Sequence, residues 1–170
     1  NEGIHWRGDY DLSQHMKFSG ADLTYRDPIT NESFIPNIVE TSGGLTRTFL
    51  YLLLDAYEEE DLGDGNTRVV LKIHKDIAAY KAAIFPLVGN KEEIVNKARD
   101  IFDMLTDSYK VVWDGRGNIG KRYRYQDEIG TPYCITIDYE TLENNTVTVR
   151  DRDTMKQQRV KIEDLDEVIS

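Results

Sequence analysis

A chain of 170 residues, 39% hydrophobic and 31% charged, can build one ordinary domain or two small ones and bury roughly two-thirds of its unfolded surface. No apolar run approaches the ~20 residues a membrane-spanning helix needs, the start NEGIHWRGDYDL is no signal peptide, and a single cysteine, Cys134, excludes an internal disulfide. The net charge of −10 argues against a general-purpose nucleic-acid binder, which would be basic.

That charge is uneven. Residues 1–68 carry 5 basic and 13 acidic side chains, residues 69–170 carry 16 and 18, and Arg116, Lys121, Arg122 and Arg124 form a local basic cluster before Asp127. Such a patch can position phosphates even on an acidic protein, although a solvated loop has the same composition. Asn rather than Met at position 1 suits a processed or excised piece of a longer chain.

In chain order, Asp9 and Asp11 could share one side of a strand, but no acid–base partner accompanies them. FIPNIVE (34–40) reads as a strand with Pro36 near its start, broken by Gly43–Gly44. Leu45, Phe49, Leu52, Leu53 and Ala56 recur at helical spacing, which predicts a helix over 45–59. EEEDLGDGNT (58–67) has no apolar period and reads as a linker. Ala82–Val88 is an apolar strand, and Asn90 with Glu93 resembles a capping box. Ile94, Val95, Ala98, Ile101, Phe102 and Leu105 then mark an amphipathic helix. Lys110–Trp113 is the next strand, residues 119–126 are helix or loop, and YCITID and TVTVR are strands separated by the turn-rich LENN. Arg159–Ile162 and a last helical turn complete a small α/β domain with a mixed sheet.

Two constellations could carry chemistry. The first is strand–glycine–helix: Glu40, Thr41, Ser42, Gly43, Gly44, Leu45, Thr46 and Arg47. A carboxylate at a strand end can hold an ammonium group, and a helix start offers free N–H groups and a positive dipole end. Arginine adds a fork of donors for phosphate. A plain strand-to-helix turn with a surface arginine remains the alternative. The glycine spacing is neither the dinucleotide-binding nor the P-loop pattern. The second constellation is Arg122, Arg124, Gln126, Asp127, Glu128 and Thr131, with Thr148, Arg150, Asp151, Arg152 and Asp153. Acids accept from cytosine's amino group, Arg and Thr reach base edges or phosphates, and Tyr123 or Tyr125 could stack on splayed RNA bases. The alternative is a structural ion-pair network. His5, His15 and His74 are too scattered for a metal site, and the apolar neighbours of Cys134 suggest a buried strand thiol.

The stretches RGDYDLSQHMKFSG, IPNIVETSGGLTRTFL, KAAIFPLV, IGKRYRYQDEIGTPYCITID and TVTVRDRDTM resemble, in order, the C-terminal part of a dimeric-type glycyl-tRNA synthetase, a class II aminoacyl-tRNA synthetase. The resemblance implies that residues 1–58 are the end of the catalytic domain, a remnant of its antiparallel sheet, that 59–68 are a linker and that 69–170 are a mixed-sheet anticodon-binding domain. IVETSGGLTR is similar to the third signature motif, Glu-Pro-Ser-x-Gly-x-x-Arg. It implies glycine contacts from Glu40, Thr41, Ser42, Gly43 and Gly44, ATP contacts from Gly44, Leu45, Thr46 and Arg47, and a catalytic, charge-neutralising role for Arg47. Arg122, Arg124, Asp127, Glu128, Thr131, Thr148, Arg150 and Arg152 would read the anticodon of a glycine-specific tRNA. Implied as well are ATP as substrate with Mg2+, a cytoplasmic homodimer as the whole enzyme, and no membrane or DNA partner.

Thr41 departs from the family's Pro, Thr46 departs from an acid, and the first two signature motifs have no counterpart here. Lacking them, the chain alone is expected to be inactive, since the donors around the developing charge are missing. The runner-up is a non-catalytic tRNA-binding or polymerase-accessory module of the same fold.

Overall fold

The computed structural model describes residues 2–63 and 65–170. Asn1 and Asp64 lie outside the described residues, Asp64 within the stretch expected as a linker. Two compact units divide between Tyr51 and Leu52. No described helix is long and apolar enough to cross a membrane.

The first unit holds β1 (Glu2–Gly8), α1 (Tyr10–Ser19), β2 (Tyr25–Arg26), β3 (Ser33–Phe34), β4 (Ile38–Gly43) and the start of α2 (Leu45–Ala56). β1 pairs antiparallel with β4, with His5 opposite Glu40, and β2 pairs with β3. The strand expected over 34–40 is divided: Phe34 belongs to β3, and β4 begins only after Pro36, which has no N–H to give a ladder. Asp9 and Asp11 do not share a strand face. Asp9 caps α1 and Asp11 sits in its first turn, where Arg7 donates to it at 2.6 Å.

The second unit opens with the last turn of α2 and a β-hairpin, β5 (Tyr57–Gly63) and β6 (Asn66–Leu71). The helix expected to reach Glu59 stops at Ala56, and the expected linker is paired strand. On a continued helix Glu58 and Asp61 would repel at i,i+3, and Asp55 would repel Glu58 and Glu59 at i,i+3 and i,i+4. On a strand they alternate, so Glu58 and Glu60 meet Lys72 Nζ at 2.6 and 2.8 Å and Glu60 also meets Arg68 at 2.7 Å.

A five-stranded sheet follows in the order β11-β10-β9-β7-β8: β7 (Ala82–Pro86), β8 (Val111–Trp113), β9 (Tyr133–Ile137), β10 (Thr146–Asp151) and β11 (Gln157–Lys161). β8, β7 and β9 are parallel, and β10 and β11 close the sheet antiparallel. Period-two alternation sorts the strands. Ala82, Ile84, Ile135, Ile137, Val147 and Val149 face α3 (Glu92–Thr106) and α6 (Leu165–Ile169) through Ile94, Ala98, Ile101, Leu105 and Ile169. On the other face Ala83, Phe85 and Cys134 pack against Ile119 and Tyr123 of α4 (Ile119–Ile129).

Two cap readings change. α3 starts at Glu92 with Lys91 at its N-cap and no side-chain cap, so Asn90 lies outside it, and Glu92 and Glu93 instead complement the dipole. LENN is not a turn but part of α5 (Tyr139–Asn144), started by a capping box of Asp138 and Thr141 and ended by Asn145 at φ 55.

Candidate nucleic-acid interface

β7 and β8 are adjacent and parallel, yet the helices that follow them cover opposite faces of the sheet. Ligands of open α/β sheets bind outside the carboxyl ends of the strands where connections diverge in this way. Here the crevice is framed by residues 87–91 after β7 and residues 114–118 after β8. Its walls approach closely, since a Cβ on Gly89 would lie 3.5 Å from the Gly115 carbonyl oxygen. In the second loop Asp114 Oδ1 accepts from Arg116 N at 3.0 Å, Gly117 takes φ +69, and Asn118 caps α4 by accepting from Lys121 N at 2.9 Å. Arg116 and Lys121 are exposed on this rim.

Several of the expected base readers point inward instead. Asp127 is buried between two arginines: Arg150 donates to both its oxygens at 2.8 and 3.0 Å, and Arg68 Nε donates at 2.9 Å. Arg68 also donates to Glu60 at 2.7 Å and to the Arg152 carbonyl. Arg152 donates to the Ile73 and Gly130 carbonyls at 2.9 and 2.8 Å and forks onto Asp153 at 2.8 and 3.1 Å. Thr131 donates to Gln126 at 2.6 Å. Arg122, at 3% exposure, turns beneath the crevice. Asp127, Thr131, Arg150 and Arg152 therefore correct the expectation of direct readout. They tie α4, β6 and β10 together near the amino end of β9, away from the crevice, because a buried charge is tolerated only where it is paired and hydrogen-bonded. The ion-pair alternative describes them.

Arg124, Glu128 and Tyr125 are exposed on α4, and Thr148 is half-buried. Tyr123 is no stacking platform: its hydroxyl bonds Thr136 at 2.6 Å and its ring meets Phe85 edge-on at 5.5 Å. Across the sheet Thr136, Thr148 and Arg159 stand side by side on β9, β10 and β11: Thr136 is buried beneath Tyr123 of α4, and beyond it the half-buried Thr148 and Arg159 form a polar face. Arg159 donates to Thr146 and Thr148 at 2.8 and 2.9 Å and forks onto Asp138 at 2.6 and 2.8 Å. Donation from Arg159, aided by the Thr141 cap, holds the Asp138 carboxyl below its ordinary range despite partial burial. Sequence reasoning missed Arg159 and Asp138. The signal was available: Val147 and Val149 point to the core, so Thr146 and Thr148 must line the opposite face. Burial drives the Cys134 thiol well above its ordinary pKa, so at neutral pH it is no nucleophile.

In the first unit Glu40 stands on β4, and Arg7 reaches it at 3.0 Å. Gly44 O accepts from Thr48 N at 2.9 Å as α2 begins. Ser42, Gly43, Gly44 and Arg47 line an open depression with Glu2, Gly3 and His5, while Thr41, Leu45 and Thr46 are exposed beside it. Glu40 and Arg47 thus border one strand-to-helix turn, and Arg7 and His5 are members the sequence did not reveal.

Residues 81–170 match the family model described as an anticodon binding domain. The chain is similar to a glycine–tRNA ligase of Borreliella afzelii (strain PKo), 55% identical over 166 residues that make up 96% of this chain and 37% of that protein. It is similar to glycine–tRNA ligases of Clostridium kluyveri (strain ATCC 8527), 53% identical over 98% of this chain and 35% of theirs, and of Clostridium tetani (strain Massachusetts / E88), 53% over 99% and 36%. The chain thus spans little more than a third of the length of these relatives. With the family model matched over more than half its length, the chain belongs to the anticodon-binding-domain family.

Proposed function

We propose that this chain supplies anticodon recognition to a glycine–tRNA ligase, through the crevice at the carboxyl ends of β7 and β8 and the adjoining polar sheet face. The observation that carries the reading is the anticodon-binding match over 81–170 in a chain whose relatives at 53–55% identity are named glycine–tRNA ligases. On this surface Arg116, Lys121 and Arg124 would hold phosphates, while Glu128 and Thr148 would offer a carboxylate and a hydroxyl to base edges, Arg159 would hold Thr148 in place, and Tyr125 would offer a ring on which an unpaired base can stack. The acidic remainder of the molecule repels RNA elsewhere and so helps to orient it.

The β4–α2 turn supports the rest of the ligase reading. Glu40, aligned by Arg7, would take glycine's ammonium, with Thr41, Ser42, Gly43 and Gly44 shaping the pocket. Gly44, Leu45 and Thr46 would lie along ATP, and Arg47 would spread the phosphate charge. In the whole enzyme glycine's carboxylate would attack the α-phosphate with loss of pyrophosphate, and a tRNA 3′-terminal hydroxyl would then take the glycyl group from the adenylate, releasing AMP. Mg2+ would accompany ATP in the whole enzyme. Ile4, Trp6 and Val39 are 73%, 75% and 64% exposed on a two-stranded ribbon, as suits a remnant of a larger catalytic sheet. Cytoplasmic location and homodimerisation belong to this reading of the whole enzyme.

The test is a binding titration against tRNA transcripts differing only in the anticodon. The expected result is a loss of about 1–3 kcal/mol for each wrong base read directly. Indifference to the triplet would leave a phosphate-binding module.

A further inference from the structure

Arg122 is buried, and its fork is spent on backbone alone. Nη1 donates to the Pro86 carbonyl at 2.7 Å and the Asp114 carbonyl at 3.4 Å, Nε to Arg116 O at 3.1 Å, and Nη2 to Gly117 O at 2.8 Å. These carbonyls sit at the ends of both strands that frame the crevice. Among the described residues no carboxylate forms an ion pair with Arg122, in contrast to Arg68, Arg150 and Arg152. A buried charge without a counter-ion is costly, and packing could be had from an apolar side chain in its place. The fork does what packing cannot: it gathers loop 114–118 and ties it to the carboxyl end of β7 from below.

We propose that Arg122 is the positioning residue for triplet discrimination, setting the place and tilt of loop 114–118 against the end of β7 and so deciding which bases the rim of the crevice accepts. The assignment rests on the anticodon reading above and deepens it. Arg122 touches no RNA; it acts through the loop backbone. Lysine keeps the charge but cannot span the carbonyls of loop 114–118 and of Pro86 at the end of β7 with a planar fork. Arg122→Lys therefore separates geometry from charge. Phosphate attraction survives, and discrimination, which depends on sub-ångström placement, does not.

The experiment compares the full chain with R122K by fluorescence anisotropy, using a tRNA transcript with a glycine anticodon and one with its middle base changed, over a range of salt. The readout is the ratio of the two dissociation constants. Partial unfolding of a variant scales both constants alike and leaves the ratio readable. For the unaltered chain a ratio of about 10 or more is expected, as for a bidentate base contact. For R122K the ratio should fall to within about threefold of unity while the salt slope is unchanged. Arg124→Gln, on the exposed face of the same helix, should do the reverse, lowering the slope by about one contact and keeping the ratio. An R122K ratio equal to that of the unaltered chain overturns the assignment and leaves the anticodon reading standing. An unaltered chain without discrimination overturns both.

Discussion

Asp127 shows how a side chain suited to reading a base can be spent on the fold. Its two oxygens take three hydrogen bonds from Arg68 and Arg150, and all three residues are buried. Asp127→Ala would strand two guanidinium groups away from water, so unfolding in urea should show a loss of about 3–5 kcal/mol. A loss below ~1 kcal/mol would mean the network is dispensable. Asp138 makes a pH-dependent contribution. Its folded pKa lies below the unfolded value of about 3.9, chiefly because Arg159 donates to it. The stabilisation is therefore present above pH ~4 and drains away as the pH falls through the folded pKa. Asp138→Asn keeps an oxygen to cap Thr141 and removes only the charge. It should lower stability at neutral pH and flatten the acid limb of the stability curve. An acid limb identical to that of the unaltered chain would contradict the Arg159 pairing.

The β5–β6 hairpin is bound to α4 as tightly as the sheet strands are to one another. Gly130, at φ +81, ends α4 where an added Cβ would fall 2.9 Å from the Leu71 carbonyl oxygen, and Arg68 crosses to Asp127 above it. Gly130→Ala should therefore cost about 1–3 kcal/mol from the left-handed backbone alone, with the steric push on β6 added. A denaturation midpoint equal to that of the unaltered chain would show that the hairpin docks loosely. What the sequence revealed follows from where the signal lay. The α3 helix and strands β7 to β10 were legible, because their apolar residues repeat at 3.6 or at 2 and no long-range partner overrides that period. The hairpin was not, because its strands are held by ion pairs of Glu58 and Glu60 with Lys72 and Arg68 and by the distant Asp127, and its acid run carries no apolar alternation. The site was legible in kind but not in orientation. Arg122, Asp127, Arg150 and Arg152 sit in segments of the right composition, and only the fold shows that their side chains turn inward.

Taken whole, the molecule joins residues 81–170, which match an anticodon-binding-domain model, to a smaller unit proposed above as the end of a catalytic domain. The relatives are nearly three times as long, so this chain corresponds to little more than a third of them. Pyrophosphate exchange with glycine and ATP should therefore be absent for the chain alone, and turnover by it would contradict this reading of residues 1–58. The location of the RNA surface can be measured by amide chemical-shift perturbation as an anticodon stem-loop is titrated in. Shifts should concentrate at residues 87–91 and 114–118 and on the Thr148–Arg159 face, leaving 72–77 and 130–132 still. Perturbation centred on the Asp127–Arg150–Arg152 end, with the crevice loops unmoved, would contradict it.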